Sequence, residues 1–431
     1  MIAATLSPRL RRAVSAYAGI VGSLEECLAP AGEPALFRAA CDVARSDALL
    51  GAPIPHVAGV GGAGATRAEA AAAAVGEALE RYSLSFVPRE RLVVATAAEL
   101  GAGAVDPERF ALFSERQHAA PGFPFRPFTR AARVAWVQGR ALPGGEPAWL
   151  PAELVYLADA RVEEAPIAYA TSSGAACGER VEETLVRGLC ELLERDAFMV
   201  AWSARLSLPR LDPRARADLA AIDDRFFART GLAYAAVDLS PFHALPSVLG
   251  VVRAPAGCPG ALGVGAGTAP TLARAFFKAL AEAFASRAAG AKLALLEPKR
   301  YGPLGEGVAS FEDHIRFYAD HARAAPAAFL DAGPATRTPP EELRGEPVAA
   351  LCARVAAAGA SAYAVDATSP DVAELGLVVT KVVAPELCAL DVAHAARFLG
   401  GRRLRTAAAE LGLAPGPLAE ADLNPYPHPF P

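Results

Sequence analysis

Several patterns that settle a protein's chemistry at a glance are missing from this 431-residue chain. Its seven cysteines, Cys27, Cys41, Cys177, Cys190, Cys258, Cys352 and Cys388, form no CxxC pair, and no histidine-rich spacing accompanies them. A zinc site is therefore excluded, and reduced thiols in a cytoplasmic protein are expected. His56, His118, His243, His314, His321, His394 and His428 are dispersed, and none is given a catalytic role. No apolar window reaches the length of a membrane span. The amino-terminal MIAATLSPRLRRAVSAYAGIV has arginines but no apolar core followed by a cleavage signal, so neither membrane insertion nor export is expected. A net charge of -5 leaves no global basic field, which argues against nucleic-acid binding. The P-loop pattern GxxxxGK followed by Ser or Thr is absent, and GVGGAG lacks the preceding strand and downstream acid of a dinucleotide fingerprint.

What is present is a composition 53% hydrophobic, enough to bury a large core and to form two or three subdomains. Alanine blurs the hydrophobic period, so helix ends are read from start and stop signals. A first helix is predicted from Thr66 to Ser83, a second from Glu179 to Trp202 and a third from Leu272 to Arg287, each after a glycine-rich stretch read as a turn. Between them RVAWVQGRAL, LAYAAVDL, SVLGVVRA and LVVTKVVA read as strands, giving a mixed α/β or α+β class. Breaks at 256–260 and 337–342 are loops or subdomain seams.

The chain repeats itself. A shift of 114 positions lays Gly64 on Gly178, Glu69 on Glu183, Glu77 on Glu191, Glu80 on Glu194 and Arg81 on Arg195. Helical spacing gathers each set of glutamates into a stripe, and acids crowded on one face call for a compensating cation. Carboxylates that hold magnesium, beside amide groups that favour anions, would suit phosphate handling. In the third helix Arg274, Lys278 and Glu282 recur at intervals of four.

GVGGAGATRAEAAAAAVGEALERYS, SSGAACGERVEETLVRGLCELLERDA and RAFFKALAEAFASR resemble, in that order, the nucleotide-binding motifs of the YcaO superfamily. AVSAYAGIV, VDATSPDVAELGLVVTKVVAPELCALD and the terminal LNPYPHPFP extend the resemblance over most of the chain. It implies a YcaO-type ATP-binding fold of antiparallel sheets packed with helices. Residues 1–55 would lead into a YcaO domain over 56–420, with a proline-rich tail over 421–431. The resemblance assigns ATP to Glu77, Glu80, Arg81, Glu179, Glu183, Glu191, Glu194, Arg195, Lys278 and Glu282. It assigns Mg2+ to Glu77, Glu80, Glu183, Glu191, Glu194 and Glu282. The chain departs from the family pattern at Ala63, Ala73, Glu179, Lys278 and Ala285.

The reaction so implied is ATP-dependent closure of azoline rings on Cys, Ser or Thr of a ribosomally made precursor peptide. The terminal carboxylate of Pro431 is the expected proton acceptor, because azoline-forming members end in a PxPxP tail. Alternating prolines also stiffen a tail and reduce the entropy lost when its end docks. Two rival readings are thioamide formation and a scaffold that has lost nucleotide use. The resemblance further implies an E1-like or leader-recognition partner, a homodimer, and in some pathways a flavin dehydrogenase.

Overall fold

The computed structural model describes residues 2–29, 32–45, 48, 59–336, 338 and 340–431; His56, Arg337 and Pro339 lie outside the described residues. The chain adopts the expected α+β class, with three sheets and three long helices, α1 (Arg67–Leu84), α2 (Val181–Ser203) and α3 (Leu272–Leu296). Strands β1 (Val21–Cys27), β2 (Phe37–Val43) and β3 (Gly59–Gly64) form one antiparallel sheet. The largest sheet has the order β4 (Val93–Thr96), β5 (Arg133–Leu142), β13 (Ala362–Asp366), β14 (Val378–Val383), β7 (Ala175–Gly178), with β6 (Pro147–Pro151) also paired to β5. The third runs β11 (Leu262–Thr268), β10 (Ser247–Arg253), β9 (Ala233–Asp238), β8 (Arg210–Leu211), β12 (Ala335–Thr336).

Sheets and helices alternate in layers. One core joins the apolar face of α1 to Val21, Ala39 and Val60 of the small sheet and to Val137, Val365 and Val379 of the large one. On the other face of the large sheet, Val382 packs on Leu189, Cys190 and Leu193 of α2. Farther along, α2 buries Phe198 and Trp202 against Leu249, Val251 and Val264 of the third sheet. The opposite side of that sheet carries α3. β11 shows how the period of two builds this: Leu262, Val264 and Ala266 belong to the core on the α2 side, while Gly263, Gly265 and Gly267 meet α3.

The glycine-rich stretches before α1 and α3 are strands, β3 and β11, which corrects their reading as turns. A Cβ at Gly62 would collide with the backbone of Ala70 and Ala74, and one at Gly267 with Ala275. Glycine is there to let a helix backbone lie almost on the sheet, a close approach that any side chain forbids. Helix α3 also continues nine residues beyond the predicted Arg287, to Leu296. Among the described residues, no helix is long and apolar enough to cross a membrane.

Candidate active site

Each long helix follows its own strand and carries a glutamate at the same place. Glu77, Glu191 and Glu282 lie ten residues after Arg67, Val181 and Leu272, the first residues of α1, α2 and α3. The first two helices also start 114 positions apart, so the repeat seen in the sequence is a repeated strand and helix. Thr66 caps α1 as expected, its hydroxyl accepting from the Glu69 N–H at 3.2 Å.

These helices bring most of the expected residues together beside β7, an edge strand of the large sheet. Glu77 pairs with Arg81 at 2.8 Å, and Glu191 pairs with Arg195 one turn along α2. The Lys278 ammonium reaches Glu194 at 3.0 Å. Backbone amides also donate into the cluster: the N–H groups of Gly174, Thr268 and Ala266 donate to Glu191, Glu194 and Glu282 at 2.8, 2.7 and 2.8 Å. Arg195 also donates to Ser173 Oγ at 3.0 Å. Among the described residues the Nε groups of Arg81 and Arg195 are buried without an acceptor, which leaves each guanidinium an unused donor there.

Glu69 of the first stripe and two of the predicted site residues, Glu179 and Glu183, stand elsewhere. Glu69, placed in the first stripe, turns back to accept from the Ala65 N–H at 2.9 Å. Glu183 pairs with Arg180 at 2.9 Å, and Glu179 accepts from Ser7 Oγ at 2.8 Å with Arg9 at 3.6 Å. Eight residues separate Glu69 from Glu77 and Glu183 from Glu191, about 12 Å along a helix axis, so first-turn acids cannot share the same contacts. Arg274 is exposed on α3.

The electrostatics of the cluster are unbalanced. Burial, reinforced by Glu191 and Glu77, pushes the Glu80 carboxyl up to about 8. Burial likewise raises Glu282 to about 7, against the pull of Lys278. Glu77 is raised for the same first reason. Burial alone would raise Glu191 as well, but Arg195, Lys278 and the Gly174 N–H outweigh it and hold that carboxyl below its usual range. The carboxylates around Lys278 raise its ammonium above the ordinary value despite desolvation. Among the described residues, no three acidic, histidine or cysteine side chains converge closely enough to hold a metal ion. The donors are nonetheless all carboxylate oxygens, the type a hard cation such as magnesium takes.

Sequence reasoning missed Lys381. It is 3% exposed on β14, donates to the carbonyls of Thr171 and Ser173, and lies in the field of Glu191 and Glu80. Burial lowers its ammonium to about 8. A usable signal existed: this is one of only four lysines in the chain, and it interrupts a run of valines.

The carboxy-terminal segment is docked inside the protein. Asn424 donates to the Trp202 carbonyl at 3.2 Å, Trp202 donates to the Tyr426 carbonyl at 3.3 Å, and Tyr318 donates to the Pro427 carbonyl at 2.7 Å. His314 and His428 stack at 4.0 Å, with His314 Nδ1 2.7 Å from the His428 carbonyl. Burial lowers both rings, His314 to about 4. Phe430 packs on Phe198 at 4.9 Å, and the Arg195 guanidinium lies 5.9 Å from its ring centre. The penultimate residue of the chain thus touches the arginine of the carboxylate cluster.

Asp196, the next residue on α2, belongs to a separate network. Its carboxylate accepts from Arg403 Nε at 2.8 and 2.9 Å and from the Cys388 N–H at 2.9 Å, with His243 Nε2 at 2.9 Å. On another side of α2 a cleft of about 760 Å³ is lined by Val181, Leu185, Arg140, Asp366 and Thr380. That volume does not include the glutamates of the cluster.

The family model described as "YcaO cyclodehydratase, ATP-ad Mg2+-binding" matches residues 61–388. The chain belongs to the YcaO family. A heterocyclase solved in complex with substrate and cofactor superposes with a TM-score of 0.78 at 25% identity, covering 100% of this chain and 57% of that one. The heterocyclase TruD gives 0.66 at 25% identity, covering 83% and 50%. YcaO from Methanopyrus kandleri, bound with AMPPCP and Mg2+, gives 0.57 at 16% identity, covering 85% and 86%, and so shares the fold. Among curated sequences, an uncharacterized protein of Methanothermobacter thermautotrophicus is 30% identical over 240 residues, which cover 53% of this YcaO chain and 56% of that protein. The chain therefore spans about half the length of these two heterocyclases and of this curated relative.

Proposed function

We propose that this YcaO protein is the ATP-dependent cyclodehydratase of a pathway that makes azoline rings on a ribosomal precursor peptide. The observation that supports the reading is the docked tail, in which the Phe430 ring lies 5.9 Å from the guanidinium of Arg195 in the carboxylate cluster. In this reading bound ATP, with Mg2+, phosphorylates the oxyanion formed when a Cys, Ser or Thr side chain adds to the preceding amide, making water loss feasible.

The chain's own residues would divide the work. Glu77, Glu80, Glu191, Glu194 and Glu282 would hold the magnesium, and the two carboxyls raised toward neutrality are those that gain most from a divalent charge. Arg81, Arg195 and Lys278 would face phosphate, and the unused Nε donors of both arginines support that role. Glu179 and Glu183, at the start of α2, would meet a more distant part of the nucleotide. The carboxylate of Pro431, one residue beyond Phe430, would accept the proton as the ring closes. Peptide capture would fall to an E1-like or leader-recognition partner, with the catalytic chain as a homodimer and any later oxidation left to a flavin dehydrogenase.

The test supplies purified protein with Mg2+, ATP, a candidate precursor peptide and its partner, and follows ATP consumption together with peptide mass. Loss of one water per ring in step with ATP use supports the reading. Binding of peptide without nucleotide binding would make the protein a scaffold instead.

A further inference from the structure

A lysine in the middle of a buried strand is expensive to desolvate and persists only where its donors are used. Lys381 meets that condition without a direct ion pair among the described residues. Its ammonium donates to the carbonyl oxygens of Thr171 and Ser173 at 2.5 and 2.6 Å. Two carbonyl dipoles aimed at one point repel each other, and an ammonium, with three donors and a positive charge, satisfies both at once.

The residues between and beside those carbonyls hold the heart of the cluster. Ser173 Oγ accepts from Arg195, and the Gly174 N–H donates to Glu191. The same segment is tied back to β14, where the Val382 N–H donates to the Gly174 carbonyl at 2.7 Å. Gly174 has φ +82°, and a Cβ there would strike the Val382 carbonyl, so the segment has one workable shape. Lys381 pulls on one side of this short segment while Glu191 and Arg195 rest on the other.

We propose that Lys381 is a positioning residue which fixes Glu191 and Arg195 through the Thr171–Gly174 segment. The proposal rests on the cluster being the nucleotide site. Without the ammonium, two buried carbonyls would lose their donor, and the segment would turn to recover water or other partners. Arg195 would then lose its acceptor and Glu191 its amide, with little change to the layered core around them.

The decisive comparison uses Lys381→Met, which keeps length and removes the donors, beside Val379→Ala, which opens a cavity on the same face of β14. Amide exchange over 171–178, MgATP affinity, turnover and melting temperature are measured on both in the full chain. Lys381→Met is expected to raise exchange at Gly174 roughly tenfold, because its bond to Glu191 is released. Turnover is expected to fall on the order of 100-fold, the scale of a 1 Å displacement of catalytic groups. Val379→Ala, at a comparable loss of melting temperature, should leave exchange at Gly174 and turnover within about twofold of wild type.

Unchanged exchange at Gly174 in Lys381→Met overturns the proposal, as does a fall in turnover that Val379→Ala reproduces. If Lys381→Met does not fold, Ser173→Ala removes the Arg195 acceptor directly, and unchanged turnover in that variant also overturns it. Wild-type protein that neither binds nor consumes MgATP would instead overturn the nucleotide reading, while the exchange data still decide whether Lys381 holds the segment.

Discussion

Arg195 and Asp196 are neighbours on α2, yet they serve two buried charge clusters of opposite character. Around Asp196 every carboxylate oxygen has donors, and His243 and Arg403 hold its carboxyl well below the usual range although burial opposes them. Around Arg195 the carboxylates outnumber their partners, and Glu80 and Glu282 are left near neutrality. A carboxylate with both oxygens partnered calls for no cation from outside. The unbalanced cluster is what a site looks like when part of its charge is brought in from outside.

The comparison breaks most readily at Asp196. Asp196→Ala strands a buried arginine and should cost about 3–5 kcal/mol in denaturant unfolding, as other broken buried pairs do. A loss below about 1 kcal/mol would mean the network is not structural. Glu194→Ala should do the reverse, lowering ATP turnover by about 10²–10³ with a much smaller change in unfolding midpoint. If it destabilises as much as Asp196→Ala, the two clusters do not differ in kind.

Acid sharpens the contrast at the tail. His314 is held at about 4 by burial, against the ordinary 6.5, so the unfolded chain takes up this proton first as pH falls. The contribution of the neutral ring is complete above 6.5 and is lost as pH drops toward 4, at no more than about 1.4 kcal/mol per pH unit. Protection factors of the Asn424, Tyr426, His428 and Phe430 amides, corrected for the intrinsic pH dependence of exchange, measure the release, and factors that stay flat across the window contradict it. The smallest effect on stability is expected from Glu80→Gln. The Glu80 carboxyl is raised from 4.5 to about 8, so it favours the fold below 4.5 and the advantage is lost as pH rises through 8. The neutral amide should therefore stabilise the protein by about 1 kcal/mol at pH 8–9 while abolishing ATP turnover, a trade of stability for function. Thermal melts in that range check it.

Much of this was readable before any coordinates. The Thr66 cap, the limits of β5 and the 114-residue echo are local or periodic signals, and each corresponds to a real element. The glycine strands were not readable, because glycine has a low strand propensity and its reason for being there is a helix that packs on it from farther along the chain. Helix α3 overran its predicted end because the alanine-rich RAAGAKLALLE offers no firm stop before Pro298. The glutamates of the helices announced themselves by spacing. Lys381 and Phe430 did not, since Lys381 acts on Thr171 across 210 positions and Phe430 meets Arg195 only through the docked tail.

The flush seating of helices on glycine strands also makes chain length a functional quantity. The backbones of α1 and α3 are pinned to their strands near their beginnings, and a glutamate waits at the eleventh helical residue of each. One residue inserted between seat and glutamate would swing that carboxylate by about 100° around the helix and out of the cluster. Loops elsewhere in the molecule can lengthen at little cost. These two stretches act as rulers, so that a neutral alanine added within one of them would be as damaging as the removal of the acid it measures out.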